Sequence, residues 1–417
     1  MQVGLNCALS DSHLDATQPS SQRQVAISVS AIPNQTGRSV PLNLCLVLDQ
    51  SGSMEGRSLS IVKQAAQKLI ESLSPGDRIS LVTFNHKAKV LLPNQIIDDP
   101  TNLRIPLQNL EASGGTAIDE GLRLGIEEIA KGKHNAISQI FLLTDGENEH
   151  GDNDRCLKLA NLATGYGLTI HSLGFGNYWN QDILEKIADA GSGTLSYIQE
   201  PEQAISEIGR LSARAQSVGL TNAFLTLTLS PGTRLAELKP MAQVAPDTIE
   251  LLVQQEGNQA IVRLGDLMTD EPRVILANLY VSQLPEGQNT IAQVQVRYDN
   301  PAIAQEGLVS ESFPIEIAAQ SLYLPAPNPD VQQHILALAK YRQTQIAESK
   351  LQQGDRQGAA TMLQTAAKTA LQMGDRGAAT VLQDNATRLE AGETLSEADR
   401  KQTRLVSKTI LQTGEED

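Results

Sequence analysis

Aromatic side chains are scarce in this chain. Phe, Tyr and Trp together make up 3% of 417 residues, with a single Trp. Cores must therefore be built from Leu, Ile, Val and Ala, and there is little material for platforms on which nucleic-acid bases stack. Positive charge is also short: 33 Lys and Arg stand against 48 Asp and Glu, a net charge of −15. Such a balance repels phosphate backbones and anionic lipid, and it favours a cation site. Cysteine appears three times, as Cys7, Cys45 and Cys156, with no close pair. An odd, sparse set argues for a reducing compartment rather than a disulfide framework. No apolar run approaches the ~20 residues needed to span a bilayer. Met1 leads into strand-like sequence without the basic and apolar segments of a secretory leader. The expectation is a cytoplasmic protein with no membrane span and no nucleic-acid partner.

At this length two or three domains are expected. The most informative junction is the apolar run Leu42–Leu48, which ends in Asp49-Gln50-Ser51-Gly52-Ser53. A run of that kind reads as a strand buried on both faces. A carboxylate and two hydroxyls at its carboxyl end are hard oxygen donors, suited to Mg²⁺, Mn²⁺ or Ca²⁺. Open α/β sheets hold ligands outside such strand ends. Two other segments carry donors of the same type: the glycine-rich turn Ser113-Gly114-Gly115-Thr116, which opens a helix, and the strand Ile137–Thr144, which ends in Asp145-Gly146.

In order and setting, Asp49, Ser51, Ser53, Thr116 and Asp145 resemble the metal-ion-dependent adhesion site of the von Willebrand factor type A family. That motif is Asp-x-Ser-x-Ser, then Thr, then Asp, and the chain matches it at all five positions. The resemblance implies that Ser51 and Ser53 touch a divalent cation directly and that Thr116 does so in a high-affinity state. Asp49 and Asp145 then act largely through water. Hydroxyl ligands carry no formal charge, so a cation held this way keeps an open corner that a partner's Asp or Glu can fill. Mg²⁺ is the first choice of cation, and Mn²⁺ or Ca²⁺ also fit. Some relatives work beside AAA-type ATPases, which makes such an ATPase a candidate partner.

Alternation along the chain predicts the architecture. Residues 1–38 hold two half-buried strands, Val3–Leu9 and Val25–Ala31, separated by a polar loop from Ser10 to Ser21. Residues 39–215 alternate strands with helices, as in a doubly wound, mostly parallel, Rossmann-like α/β sheet; the last helix is Glu202–Ala215, after Pro201. Residues 216–320 switch to period two, the pattern of a β-sandwich, with strands at Ala223–Leu229, Thr248–Val253, Gln259–Leu264, Arg273–Val281, Ile291–Arg297 and Leu308–Ile317. The two amino-terminal strands are expected to complete that sandwich, with the α/β unit inserted between them. Residues 321–417 hold a Pro-rich linker and an α-helical region. There Asp330 is read as a helix N-cap, and Gly354-Asp355-Arg356 recurs twenty residues later as Gly374-Asp375-Arg376. A further helix is expected from Ser396 to about Leu411, ahead of the acidic end Glu415–Asp417.

Other features point away from chemistry. No Ser-His-Asp/Glu set, phosphate loop or spare general base accompanies the five oxygen donors, so a non-enzymatic interaction module is expected. An Mg²⁺-dependent hydrolase and a calcium-responsive structural regulator are the rival classes. The acidic residues Glu147, Glu149, Asp152 and Asp154 read as a solvated loop, or as a second cation position. Asp119 and Glu120 suit the amino end of their helix. His86, His134, His150 and His171 show no ligand spacing, and only His150 is expected near the crevice. Trp179 reads either as a residue of the binding face or as a plug beneath its loop.

Overall fold

Every residue of Leu42–Asp49 is buried, so this strand must lie mid-sheet with side chains packed above and below. The computed structural model describes residues 1–33, 40–98, 106–176, 179–198, 200 and 202–408. In chain order the first strands are β1 (Gln2–Leu9), β2 (His13–Asp15) and β3 (Ser20–Ile32). The α/β unit follows with β4 (Leu42–Asp49), α1 (Arg57–Glu71), β5 (Arg78–Phe84), β6 (Ala88–Ile96), α2 (Ile118–Ala130), β7 (Ile137–Thr144), α3 (Asn153–Gly165), β8 (Thr169–Phe175), α4 (Gln181–Ala190), β9 (Ser192–Ile198) and α5 (Gln203–Gln216). Its sheet has the order β6-β5-β4-β7-β8-β9. All neighbours are parallel except the β5–β6 hairpin. Alternate residues of β4 divide between two cores: Leu44, Leu46 and Leu48 pack with α1 and α5, whereas Cys45 and Val47 pack with α2, α3 and α4. This is a doubly wound α/β sheet, and the strand order reverses between β4 and β7, where such folds open a crevice.

The chain then enters β10 (Val218–Leu229), β11 (Thr233–Leu235), β12 (Met241–Ala245), β13 (Ile249–Glu250), β14 (Gln254–Glu256), β15 (Gln259–Met268), β16 (Arg273–Ser282), β17 (Gly287–Asn300), β18 (Gln305–Val309) and β19 (Phe313–Gln320). One sheet runs β1-β3-β16-β12-β13, and the other runs β14-β15-β10-β17-β19-β2. Val25, Ile27 and Val29 of β3 share a core with Leu225, Leu227, Val294 and Val296. Segments on either side of the α/β unit therefore form one sandwich.

Three local readings are corrected. The polar segment Ser10–Ser21 contains β2, which pairs in parallel with β19. The expected strand Leu308–Ile317 is broken into β18 and β19, because Ser310 turns inward: its hydroxyl accepts from Val296 N at 2.9 Å. Within Thr248–Val253 only Ile249–Glu250 pairs, and it does so with β12, a strand that alternation did not reveal.

The sandwich docks on the amino ends of the α/β strands. Gln139 Nε2 and Thr169 Oγ1, near the starts of β7 and β8, each donate to Asp266 Oδ2 at 2.9 Å. Arg263 Nε donates to Ser192 Oγ at the start of β9 at 3.2 Å. The carboxyl ends of the strands point the other way, clear of the sandwich.

Beyond the sandwich lie α6 (Pro329–Gln352), α7 (Arg356–Gln372), α8 (Arg376–Glu390) and α9 (Glu397–Lys408). The α6 cap is Asn328 rather than Asp330: Asn328 Oδ1 accepts from Asp330 N at 3.0 Å and Val331 N at 3.2 Å. With Pro329 in the first helical position, the cap falls one residue before the proline. The twenty-residue repeat is a helix junction used twice. Gly354 and Gly374 both take φ of 81°, and Asp355 and Asp375 then accept from Gly358 N at 2.8 Å and Ala378 N at 2.9 Å. Val331, Leu338 and Tyr341 of α6 pack on Ala242, Val244, Val274 and Leu276 of the sandwich. Pro201 and residues 409–417 lie outside the described residues. Among the described residues no helix is long and apolar enough to cross a membrane.

Candidate metal centre

The carboxyl end of β4 sets Asp49, whose side chain is fully buried. Its Oδ1 accepts from Ser51 N at 2.7 Å, which bends the chain into a short 3-10 turn, Gly52–Met54. Its Oδ2 accepts from Thr144 Oγ1 at 2.5 Å, across to the last residue of β7. The next residue, Asp145, accepts from Ser53 Oγ at 2.6 Å, and the Ser51 and Ser53 hydroxyls lie 3.0 Å apart. Four of the five oxygen donors thus form one chain of contacts.

Thr116 arrives on the third segment. Ser113 N donates to Gln50 O and Gly52 N donates to Gly114 O, both at 2.8 Å, so this turn runs beside the exit of β4. Gly114 has φ of 75°, and a Cβ there would lie 2.5 Å from His86 Nδ1. Both the conformation and the close approach require glycine. Thr116 is 3% exposed, and its Oγ1 would lie 3.1 Å from a Cβ placed on Gly146, with Ser53 Oγ at 3.6 Å from the same point. A side chain at 146 would crowd the space between those two hydroxyls. All five side chains therefore meet at one mouth, at the strand-order reversal, graded from the buried Asp49 to the exposed Ser53.

The electrostatics are those of two carboxylates withdrawn from water. Burial pushes Asp49 up to about 6, hydrogen bonds from Thr144 and Ser51 oppose this, and the charge of Asp145 adds to the rise. Burial also raises Asp145, with Ser53 opposing. Among the described residues no Lys or Arg forms an ion pair with either. Two carboxylates and three hydroxyls, with no sulfur or imidazole among them, form a donor set suited to a hard divalent cation.

Neighbouring residues have structural duties. Asp119 and Glu120 share Arg155, whose Nη1 lies 2.9 and 2.5 Å from their carboxylates. Asp152 caps α3 by accepting from Arg155 N at 3.1 Å. Among the described residues no group of three or more His, Cys, Asp or Glu side chains could hold a metal, so the acidic loop carries no such cluster. Both His86 and His150 stand over the glycine turn, since a Cβ on Gly115 would lie 2.3 Å from the His150 ring. His86 was not expected there. Nor was Thr144, although a hydroxyl closing an apolar strand just before Asp145 was a readable sign. Asn148 Oδ1 accepts from Ile118 N at 2.7 Å and so caps α2 from a distant loop, which no local pattern announces. Trp179 is a plug, 2% exposed, with Nε1 donating to Gly176 O at 2.7 Å. Its neighbours Asn177 and Tyr178 lie outside the described residues.

Comparison with known proteins places this chain in a class. Residues 43–210 match the von Willebrand factor type A domain, and residues 329–413 match the Sll0103-like, C-terminal alpha-helical domain. A solved von Willebrand factor type A protein from Catenulispora acidiphila superposes with a TM-score of 0.80 at 19% identity, covering 98% of this chain and 97% of that one. The fold is thus shared end to end. Over 412 residues the chain is 58% identical to the uncharacterized protein sll0103 of Synechocystis sp., across 99% of this chain and 98% of that one. It belongs to that family of bacterial-type von Willebrand factor type A proteins. The inter-alpha-trypsin inhibitor heavy chain H1 of Mesocricetus auratus is 30% identical over 177 residues, which are 40% of this chain but 19% of that protein.

Proposed function

We propose that this protein is a metal-ion-dependent interaction module. Asp49, Ser51, Ser53, Thr116 and Asp145 hold a divalent cation, Mg²⁺ first and Mn²⁺ or Ca²⁺ as substitutes, and an acidic side chain of a partner protein completes the coordination. The observation that carries this reading is the meeting of five oxygen donors around the buried Asp49 and the half-buried Asp145, with which no Lys or Arg pairs among the described residues (the five residues are those of the adhesion-site motif). An ion bound there would supply the positive charge that the pair lacks. The uncharged hydroxyls would leave it electron-poor and receptive to a further carboxylate. The role is one of assembly or regulation rather than catalysis. Asp49 is committed to Thr144 and Ser51, and Asp145 to Ser53, which leaves neither carboxylate placed as a general base. The free thiols of Cys7, Cys45 and Cys156 support a reducing, cytoplasmic setting. An AAA-type ATPase as partner rests on the family resemblance alone.

Mn²⁺ titration followed by electron paramagnetic resonance tests the site. One saturable ion per chain is expected, lost in Ser53→Ala and Asp145→Ala. A wild-type chain that leaves Mn²⁺ free in solution refutes the proposal. Partner capture that EDTA abolishes and Mg²⁺ restores separates the interaction module from a calcium-responsive regulator, which would change oligomeric state with Ca²⁺ and no acidic ligand.

A further inference from the structure

The sandwich leaves the carboxyl edge of the α/β sheet open, but the helical unit reaches it. Helix α9 lies against α4 and Trp179. Its buried residues are Lys401, Thr403 and Ser407, all polar. Lys408 Nζ pairs with Glu185 at 2.6 Å and Asp189 at 3.2 Å. Arg404 joins Asp182 of α4 to Glu348 of α6. Lys401 Nζ donates to Trp179 O at 2.8 Å and sits 4.2 Å from the centre of its indole. Burial lowers the Lys401 ammonium while Glu397 and Glu147 pull it up; Glu147 is two residues beyond Asp145.

From Trp179 a packed path leads inward. The indole lies against Gly174 so closely that a Cβ there would be 2.3 Å from Cε2. Gly174 pairs in register with Thr144 across β8 and β7. Thr144 Oγ1 holds Asp49 Oδ2 at 2.5 Å. Each link is a close contact or a sheet pairing, so a displacement at one end has no slack to absorb it.

We propose that Lys401 is a positioning residue for the candidate metal crevice, so that docking of the helical unit and occupation of the cation site are energetically coupled. The inference rests on the metal reading above and adds a second site coupled to it. Because ion pairs, a hydrogen bond and a cation–π contact join α9 to the α/β unit, its docking is adjustable through charge. Linkage then requires reciprocity: whatever α9 does to cation affinity, the cation does to α9 docking.

The test uses the full chain and Mn²⁺ alone. Lys401→Met keeps the stem over the indole but removes the charge and the donor, and is expected to weaken Mn²⁺ binding about fivefold or more. Lys401→Arg restores both and with them the affinity. Lys350→Met, which removes an exposed pair with Asp355, leaves affinity unchanged. In the unsubstituted chain Mn²⁺ slows amide hydrogen exchange within α9, an effect that no variant is needed to see. Wild-type Mn²⁺ binding combined with unaltered affinity in Lys401→Met and unaltered exchange in α9 overturns the coupling while leaving the metal site standing. Absence of Mn²⁺ binding by the wild type removes both.

Discussion

Replacing Asp49 with asparagine isolates the electrostatic cost of the crevice without changing its shape. The asparagine oxygen still accepts a hydrogen bond, but the residue cannot ionise. In the folded chain burial pushes the Asp49 carboxyl up to about 6 from its ordinary 3.8. A folded pKa above the unfolded one means that folding favours the protonated form. The contribution is fully present below the unfolded value and is lost as pH rises through the folded one. About two pKa units at ~1.4 kcal/mol each give a loss of roughly 3 kcal/mol between about pH 4 and 7. Urea unfolding in EDTA, followed by circular dichroism across that range, measures it as the stability difference between wild type and Asp49→Asn. That difference is expected to swing against the wild type by this amount, with most of the change complete near pH 6. Saturating Mg²⁺ should return the lost stability to the wild type above pH 6, because the ion replaces the proton, and should do little for the variant. A difference that stays flat from pH 4 to 7 in EDTA refutes the reasoning, since Asp49 would then be no harder to ionise folded than unfolded.

Three further outcomes follow from the same structure. Gly114→Ala is expected to cost about 1–2 kcal/mol in thermal or urea unfolding from its positive φ, and His86→Ala should not rescue it, because relieving the clash leaves the backbone strain; full rescue would contradict this. Asn328→Ala should destabilise the chain by about 1 kcal/mol through loss of the α6 cap, whereas Asp330→Asn should cost less; the reverse order would return the cap to Asp330. Raising salt to about 1 M shortens the screening length to ~3 Å, so amide exchange in α9 should accelerate relative to α7, whose buried residues are mostly Ala and Leu; equal responses would mean that charge does not hold α9 down.

How much was legible in the chain depended on the range of the forces involved. Leu42–Asp49 and Ile137–Thr144 read plainly because strands buried on both faces must be apolar at every position, and their polar terminators mark the crevice. The glycine turn before Thr116 read plainly because a positive φ leaves a residue-type signature. By contrast, β12 and β2 are short strands specified by partners far along the chain, Ala277 for one and Ala318 for the other. No local alternation of that length stands out from loop sequence. Asn148 capping α2, and the cluster of Arg404 with Asp182 and Glu348, are likewise products of assembly. Charged surface residues keep their partners hidden until the helices pack. Thr144 is the intermediate case: its type and position were visible, but its bond to Asp49 needed the β4–β7 pairing.

The α/β unit is spliced into the sandwich rather than appended to it. Its polypeptide arrives from β3 and departs into β10, and both strands are stitched into the same pair of sheets. A load applied at the crevice by a tethered partner would therefore be shared by two covalent leads anchored in one body. A single proteolytic nick at either junction would leave the α/β unit still moored by the other.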